Sequence, residues 1–282
     1  MQEYYEMKTK RGTMRGFFHK PHANQFPVCL IFHGFTGQKT GTKFSYVQLS
    51  RMLEKQNIGT LRMDFLGSGE SDLEFKDMTF QNELDSAIQL LEEVKKMDCV
   101  TDIYLLGHSM GGAIASEVAK RFPQDISKMC LWAPAFNLPD AIEYLKGHVE
   151  EAPYYDHGGF EISHEFVEDI TSRDLYKDLD IYKNDLMIIH GTKDTTVPFQ
   201  ISNKYLKGFV NPTFYPIEGA THNYDNLKHI RQVIQLTYDF FIQGKKPCIF
   251  RYELHKVISF LYCLFNELCY NQKGKKGVKI HE

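Results

Sequence analysis

Six short, largely apolar runs, separated by longer stretches of helical periodicity, constrain this chain more than any other feature. They lie at 28–32, 58–64, 103–106, 128–132, 186–190 and 213–217. A strand that is apolar at every position has both faces buried, as happens when helices cover a sheet on both sides. Such runs alternating with helical patterns predict an α/β fold with a mostly parallel central sheet flanked by helices. Residues 79–97 put Leu84, Ile88, Leu91 and Val94 on one helical face. Further helices are predicted at Met110–Arg121, stopped by Phe122 and Pro123, and at Leu227–Ile242, which would close the domain.

The 282 residues suffice for one large domain, or for one domain with an insertion. A βα crossover needs only about a dozen residues. The stretch 135–182 is far longer, has weak periodicity, and carries tyrosines, acidic groups and a Gly158-Gly159 pair, so it reads as a small inserted cap. The predicted organisation is a core of 1–134 and 183–243, the cap at 135–182, and a tail at 244–282 of unassigned role. The tail holds a dense apolar run at 258–265 followed by a basic stretch at 273–279. That run falls short of the about twenty residues that span a bilayer. It reads as a docked helix, an interfacial helix or a segment outside the fold.

Composition narrows the function classes. The chain is 43% hydrophobic and 24% charged, ordinary for a soluble globular protein. A net charge of −3 offers no electrostatic footprint for nucleic acid. Twelve histidines occur without an H-E-x-x-H or a paired C-x-x-C, so neither metal nor cofactor is expected. The six cysteines (Cys29, Cys99, Cys130, Cys248, Cys263 and Cys269) have no framework spacing, which suits a reducing, cytoplasmic setting. The opening MQEYYE has neither a basic start nor an apolar core, so no secretory signal is expected. A membrane partner is not expected either, and a homodimer stays open.

The chemistry-bearing feature is GHSMG at 107–111, a G-x-S-x-G directly after a predicted strand and directly before a predicted helix. A sharp turn there strains the serine and thrusts its hydroxyl out beyond the strand end. A serine hydroxyl is a poor nucleophile until a base takes its proton, and the base needs a third group to fix its tautomer. Asp194 follows the strand at 186–190, and His222 stands in GATHN at 219–223, just past the last strand. Strand-exit loops converge on one end of a parallel sheet, so Ser109, Asp194 and His222 are the predicted nucleophile, acid and base. Asp180, Asp185 and Asp225 lie before the strand or beyond the histidine. His33, His108 and His190 sit at strand ends and read as packing around the site. HGFTG at 33–37 follows a buried strand and frees backbone N–H groups. With the residue after the nucleophile, it points to Phe35 and Met110 as backbone donors for a developing oxyanion.

Taken together, HGFTG, the D-x-x-G-x-G-x-S from Asp64 to Ser71, GHSMGG, GTKDTTVP and GATH resemble the α/β-hydrolase superfamily over roughly residues 10–243. Within it the chain resembles bacterial cinnamoyl (feruloyl) esterases and monoglyceride-lipase-like serine hydrolases. The resemblance implies the Ser109–Asp194–His222 triad and the Phe35 and Met110 donors. In the cinnamoyl group, a cap inserted after the sixth strand holds the aromatic acid. Here Asp140, Tyr154 and Tyr155 of that stretch could hold a phenolic hydroxyl. The expected function is a serine carboxylesterase that hydrolyses hydroxycinnamoyl or similar small aryl or acyl esters through an acyl-enzyme. A monoacylglycerol lipase, thioesterase or peptidase on the same fold is the alternative. A non-catalytic binding protein would show a broken triad, and this one is intact in sequence.

Overall fold

The computed structural model describes residues 1–146 and 153–243. In chain order the strands are β1 (Gln2–Lys8), β2 (Thr13–His19), β3 (Phe26–Phe32), β4 (Gly59–Met63), β5 (Val100–His108), β6 (Ile126–Trp132), β7 (Tyr154–His157), β8 (Phe160–Ser163), β9 (Asp185–Gly191) and β10 (Thr213–Ile217). Eight of them form one sheet in the order β1-β2-β4-β3-β5-β6-β9-β10, and β7 pairs with β8 in a separate hairpin. From β4 to β10 every neighbouring pair is parallel, whereas β1–β2 and β2–β4 are antiparallel. The mostly parallel sheet predicted from the apolar runs is therefore present.

The helices are α1 (Ser45–Glu54), α2 (Phe80–Lys95), α3 (Met110–Arg121), α4 (Leu138–Ile142), α5 (His164–Thr171), α6 (Ser202–Gly208) and α7 (Leu227–Ile242). Alternate residues of each central strand serve opposite cores. Val28, Leu30 and Phe32 of β3, with Leu105 of β5 and Leu131 of β6, pack with Leu84 and Leu91 of α2 and Ile114 and Val118 of α3. Cys29 and Ile31, with Leu106, Cys130 and Trp132, pack on the other face with Leu49 and Leu53 of α1 and Val233 and Ile234 of α7. This two-sided burial is why those strands read as unbroken apolar runs.

Several elements escape the sequence reading, among them the β1–β2 hairpin and helix α1. The β1–β2 hairpin forms the sheet edge, where Met7 faces Met14 and both are buried, while most other β1 positions face solvent. A half-exposed edge strand carrying charges has no continuous apolar signal. Helix α1 begins without a capping side chain, behind Phe44 at φ 58°, so the usual start signal is missing. Between β6 and β9 the chain runs through α4, the β7–β8 hairpin and α5. Among the described residues no helix is long and apolar enough to cross a membrane. Cys29, Cys99 and Cys130 are free thiols. The tail at 244–282, with Cys248, Cys263 and Cys269, lies outside the described residues.

Candidate active site

Ser109 sits between the end of β5 and the first turn of α3, at φ 57° and ψ −122°. A side chain rarely adopts that region, and holding one there stores of order 1–3 kcal/mol unless the surroundings over-determine it. They do so here. The Ser109 N–H donates to the Trp132 carbonyl at 2.9 Å, and the Ser109 carbonyl accepts from Ala135 N–H at 3.0 Å, so the exit of β6 grips the turn from both sides. Gly107 lets α3 fold back: a Cβ there would lie 2.2 Å from the Gly111 carbonyl oxygen. Gly34 has the same purpose opposite, since its Cβ would lie 2.9 Å from that of Ser109. The two glycine-bearing motifs are thus the two halves of one close contact.

Asp194 lies three residues past β9 with its side chain fully buried. Its Oδ1 accepts from Thr196 N–H at 3.0 Å and Val197 N–H at 2.8 Å. Its Oδ2 is 2.7 Å from His222 Nδ1. Burial alone would push this carboxyl up. The bonds from His190, His222 and Val197 outweigh it and hold the group well below the usual carboxylate range. With Nδ1 donating to Asp194, His222 presents Nε2 as the free lone pair, and it faces the same cavity as Ser109. The structure therefore brings the three predicted residues to one end of the sheet.

The three histidines set aside as packing each hold a piece of this arrangement. His108 Nε2 donates to the His222 carbonyl at 3.1 Å, and the two rings lie 5.0 Å apart. Burial, with His222 adding to it, pushes His108 down to about 3, so it stays neutral. His33 Nδ1 donates to the Gly34 carbonyl at 2.9 Å, and Nε2 accepts from Phe65 N–H at 3.0 Å. That pins the 33–37 loop to the loop after β4. His190 contacts Asp194 itself, with Nε2 at 3.2 Å from Oδ2.

The D-x-x-G-x-G-x-S motif is a buckle on the same loop. Asp64 accepts from Lys39 N–H at 2.7 Å, from Lys39 Nζ at 2.6 Å and from Glu70 N–H at 2.9 Å, while Ser71 Oγ donates to the Asp64 carbonyl at 2.7 Å. Among the described residues, neither Phe35 N–H nor Met110 N–H has a hydrogen-bond partner. Met110 opens α3, whose first amides have no partner within the helix. Both residues flank Ser109 across the Gly34 contact.

Above Ser109 lies a cavity of about 480 Å³. Its inner wall is apolar: Phe35, Leu138, Ala141, Ile142, Leu145 and Ile162. Its polar lining includes Asn137, Tyr144 and His157, with Thr36, Gln38, Thr42, Thr196 and Asn223 toward the sheet end. Asp140, Tyr154 and Tyr155 do not line it. Asp140 is exposed on α4, Tyr154 lies under the Lys76 ammonium, and Tyr155 packs edge-on against Tyr144. Asn137, Tyr144 and His157 line the cavity instead. No motif marks them, because only the path of the chain from β6 through α4 and the hairpin carries them over the serine.

The comparisons with known proteins bear on the fold. Residues 23–153 match the serine aminopeptidase, S33, family (Hydrolase_4). The structure of Est1E from Butyrivibrio proteoclasticus with bound ferulic acid superposes with a TM-score of 0.78 at 27% identity, over 84% of this chain and 98% of that one. The chain has the α/β-hydrolase fold. Among curated relatives, lysophosphatidylserine lipase ABHD12 of Danio rerio is 26% identical over 197 residues, 67% of this chain and 48% of the relative. Protein phosphatase methylesterase 1 of Candida albicans is 27% identical over 128 residues, 45% of this chain and 34% of the relative. The chain thus spans about half, or less, of the curated relatives it matches. The chain is thus similar to a protein named as a lipase and to one named as a methylesterase, alongside Est1E.

Proposed function

We propose that this protein is a serine carboxylesterase acting on hydroxycinnamoyl or similar small aryl esters. Ser109 Oγ attacks the ester carbonyl while His222 Nε2 takes its proton. Asp194 holds the imidazolium, and the Phe35 and Met110 N–H groups receive the oxyanion. His222 returns the proton to the leaving alcohol, and water then releases the acid from the acyl-enzyme.

The single observation that carries the substrate reading is the cavity wall. It sets apolar side chains beside polar ones, among them Asn137, whose Oδ1 is buried without a hydrogen-bond partner among the described residues. An unpaired buried acceptor costs about 1–3 kcal/mol, which a substrate hydroxyl would recover. A ring that is apolar on its faces and carries a hydroxyl suits such a chamber, and ferulic acid, bound in the Est1E structure, is such a molecule. The second reading is a monoacylglycerol or lysolipid lipase, favoured by the similarity to the Danio rerio lipase.

The test is a panel of methyl ferulate, methyl cinnamate, p-nitrophenyl butyrate and a monoacylglycerol, each against wild type, Ser109→Ala and Asn137→Leu. Ser109→Ala should abolish every activity. Methyl ferulate should exceed methyl cinnamate in kcat/KM by about tenfold, the value of one hydrogen bond, and Asn137→Leu should level the two. A monoacylglycerol preferred over both would favour the lipase reading. Turnover retained in Ser109→Ala would sink both.

A further inference from the structure

Asp194 has a second histidine on it. His190 and Asp194 are both fully buried, and His190 Nε2 lies 3.2 Å from the same Oδ2 that His222 Nδ1 approaches to 2.7 Å. His190 Nε2 is also 2.9 Å from the Val197 carbonyl. A carbonyl only accepts, so this nitrogen carries a hydrogen donated to Val197, with the Asp194 carboxylate oxygen 3.2 Å from the same N–H nitrogen. On the other side of the ring, Nδ1 lies 2.6 Å from the hydroxyl of Tyr205, a residue with no exposed surface. In the tautomer with its hydrogen on Nε2, Nδ1 accepts there and Tyr205 donates. Packing locks the ring in place: it stacks on Tyr205 with 14° between planes and meets Phe199 edge-on at 5.5 Å.

We infer that His190, backed by Tyr205, is a positioning residue for the acid of this site: it keeps the Asp194 carboxylate ionised and aimed, and sets the pH at which His222 becomes a base. The inference rests on the triad reading above. A carboxylate that accepts from a second donor spreads its charge over both, so the imidazolium of His222 gains less from it. Removing the His190 N–H returns that charge to His222, which then holds its proton to higher pH. Tyr205, by donating to Nδ1, makes the opposite N–H a stronger donor.

The other ionisable groups around the pair are few. His108 faces His222 from the turn before α3 and is held neutral by burial. Asp225 lies on the loop after His222, bonded to Lys43 and Thr221. The Tyr205 and Tyr224 phenols face Asp194 and are pushed up by burial first, so both stay protonated.

The test is the pH profile of kcat/KM on p-nitrophenyl butyrate for the full chain, in wild type, Ser109→Ala, His190→Phe, His190→Gln and Tyr205→Phe. Folding is checked by circular dichroism and thermal melting. Phenylalanine keeps the ring between Tyr205 and Phe199 but has no N–H; glutamine returns an N–H near the Nε2 position. His190→Phe should lower kcat about tenfold or more with KM little changed, and move the acid midpoint up by about half a pH unit or more. His190→Gln should recover most of both, and Tyr205→Phe should shift the midpoint the same way by less.

A wild-type midpoint in His190→Phe overturns the inference. So does a loss of rate, at unchanged midpoint, that glutamine does not rescue. If His190→Phe fails to fold, an unmoved midpoint in Tyr205→Phe is the refutation. A wild type with no Ser109-dependent hydrolysis brings down the triad reading and this inference together. Ser109-dependent hydrolysis indifferent to His190 brings down this inference alone.

Discussion

Replacing Ser109 by glycine should make the protein more stable than replacing it by alanine, although both variants lose the proposed nucleophile. Both substitutions delete the same hydroxyl, so their difference isolates the backbone. At φ 57° and ψ −122°, a residue with a Cβ carries about 1–3 kcal/mol of strain, which glycine does not feel. Against that, glycine frees the unfolded chain and gives back roughly 0.5–1 kcal/mol. The net expectation is Ser109→Gly above Ser109→Ala by about 0.5–2 kcal/mol. For a domain of this size that is a Tm gap of about 1–8 °C, at roughly 2–4 °C per kcal/mol. Urea unfolding of the two variants, followed by circular dichroism at neutral pH, measures the free-energy gap directly. A glycine variant no more stable than the alanine variant would show that the turn is relaxed. The view of the serine as held under tension by Trp132, Ala135 and Gly34 would then be wrong.

Three other outcomes follow from the same contacts. Asp194→Asn should cut kcat/KM by about three to four orders of magnitude, because an amide can present its N–H to His222 Nδ1 and favour the wrong tautomer; a loss under tenfold on p-nitrophenyl acetate would contradict the role of the acid. His108 is lowered in the folded state, so it binds a proton on unfolding; between about pH 6.5 and 3 the wild type should lose up to about 1.4 kcal/mol of stability per pH unit from this group. His108→Gln should flatten that slope in urea titrations at stepped pH, although His33, also lowered by burial, leaves a residual slope. Lys128 Nζ donates to the carbonyls of Phe240, Phe241 and Gln243 at the end of α7, so Lys128→Met should cost about 1–3 kcal/mol in thermal or urea melts, with kcat/KM on p-nitrophenyl acetate within twofold of wild type.

The central sheet was legible in the residues because its strands are covered on both sides. Burial of Val28, Leu30 and Phe32 on one face and Cys29 and Ile31 on the other leaves no polar position to blur the run. The same holds for Ser109, Asp194 and His222. Each sits at the exit of such a strand, and in a parallel sheet those exits share one end whatever the loops between them do. A local rule, strand then turn then helix, was enough to place the candidate nucleophile. Chain order was enough to place its candidate partners.

What lies between strands could not be read this way. The β1–β2 edge is half exposed, so its pattern is weak, and α1 starts without a cap. Asn137, Tyr144 and His157 reach the cavity, while Asp140, Tyr154 and Tyr155 do not, because a short helix and a hairpin turn some side chains inward and their neighbours outward. Rotation about a helix by one or three residues decides that, and no local signal records it. Likewise His190 looks like a strand-end histidine in sequence. Its 3.2 Å approach to Asp194 and the Tyr205 hydroxyl behind it exist only because β9 and α6 pack together. The amino-acid sequence by itself determined the parallel part of the sheet, the turn and the three candidate groups, each specified by neighbours along the chain. The cavity wall and the second histidine on the acid were decided by packing between segments far apart in sequence, where only the tertiary structure sets which atoms meet.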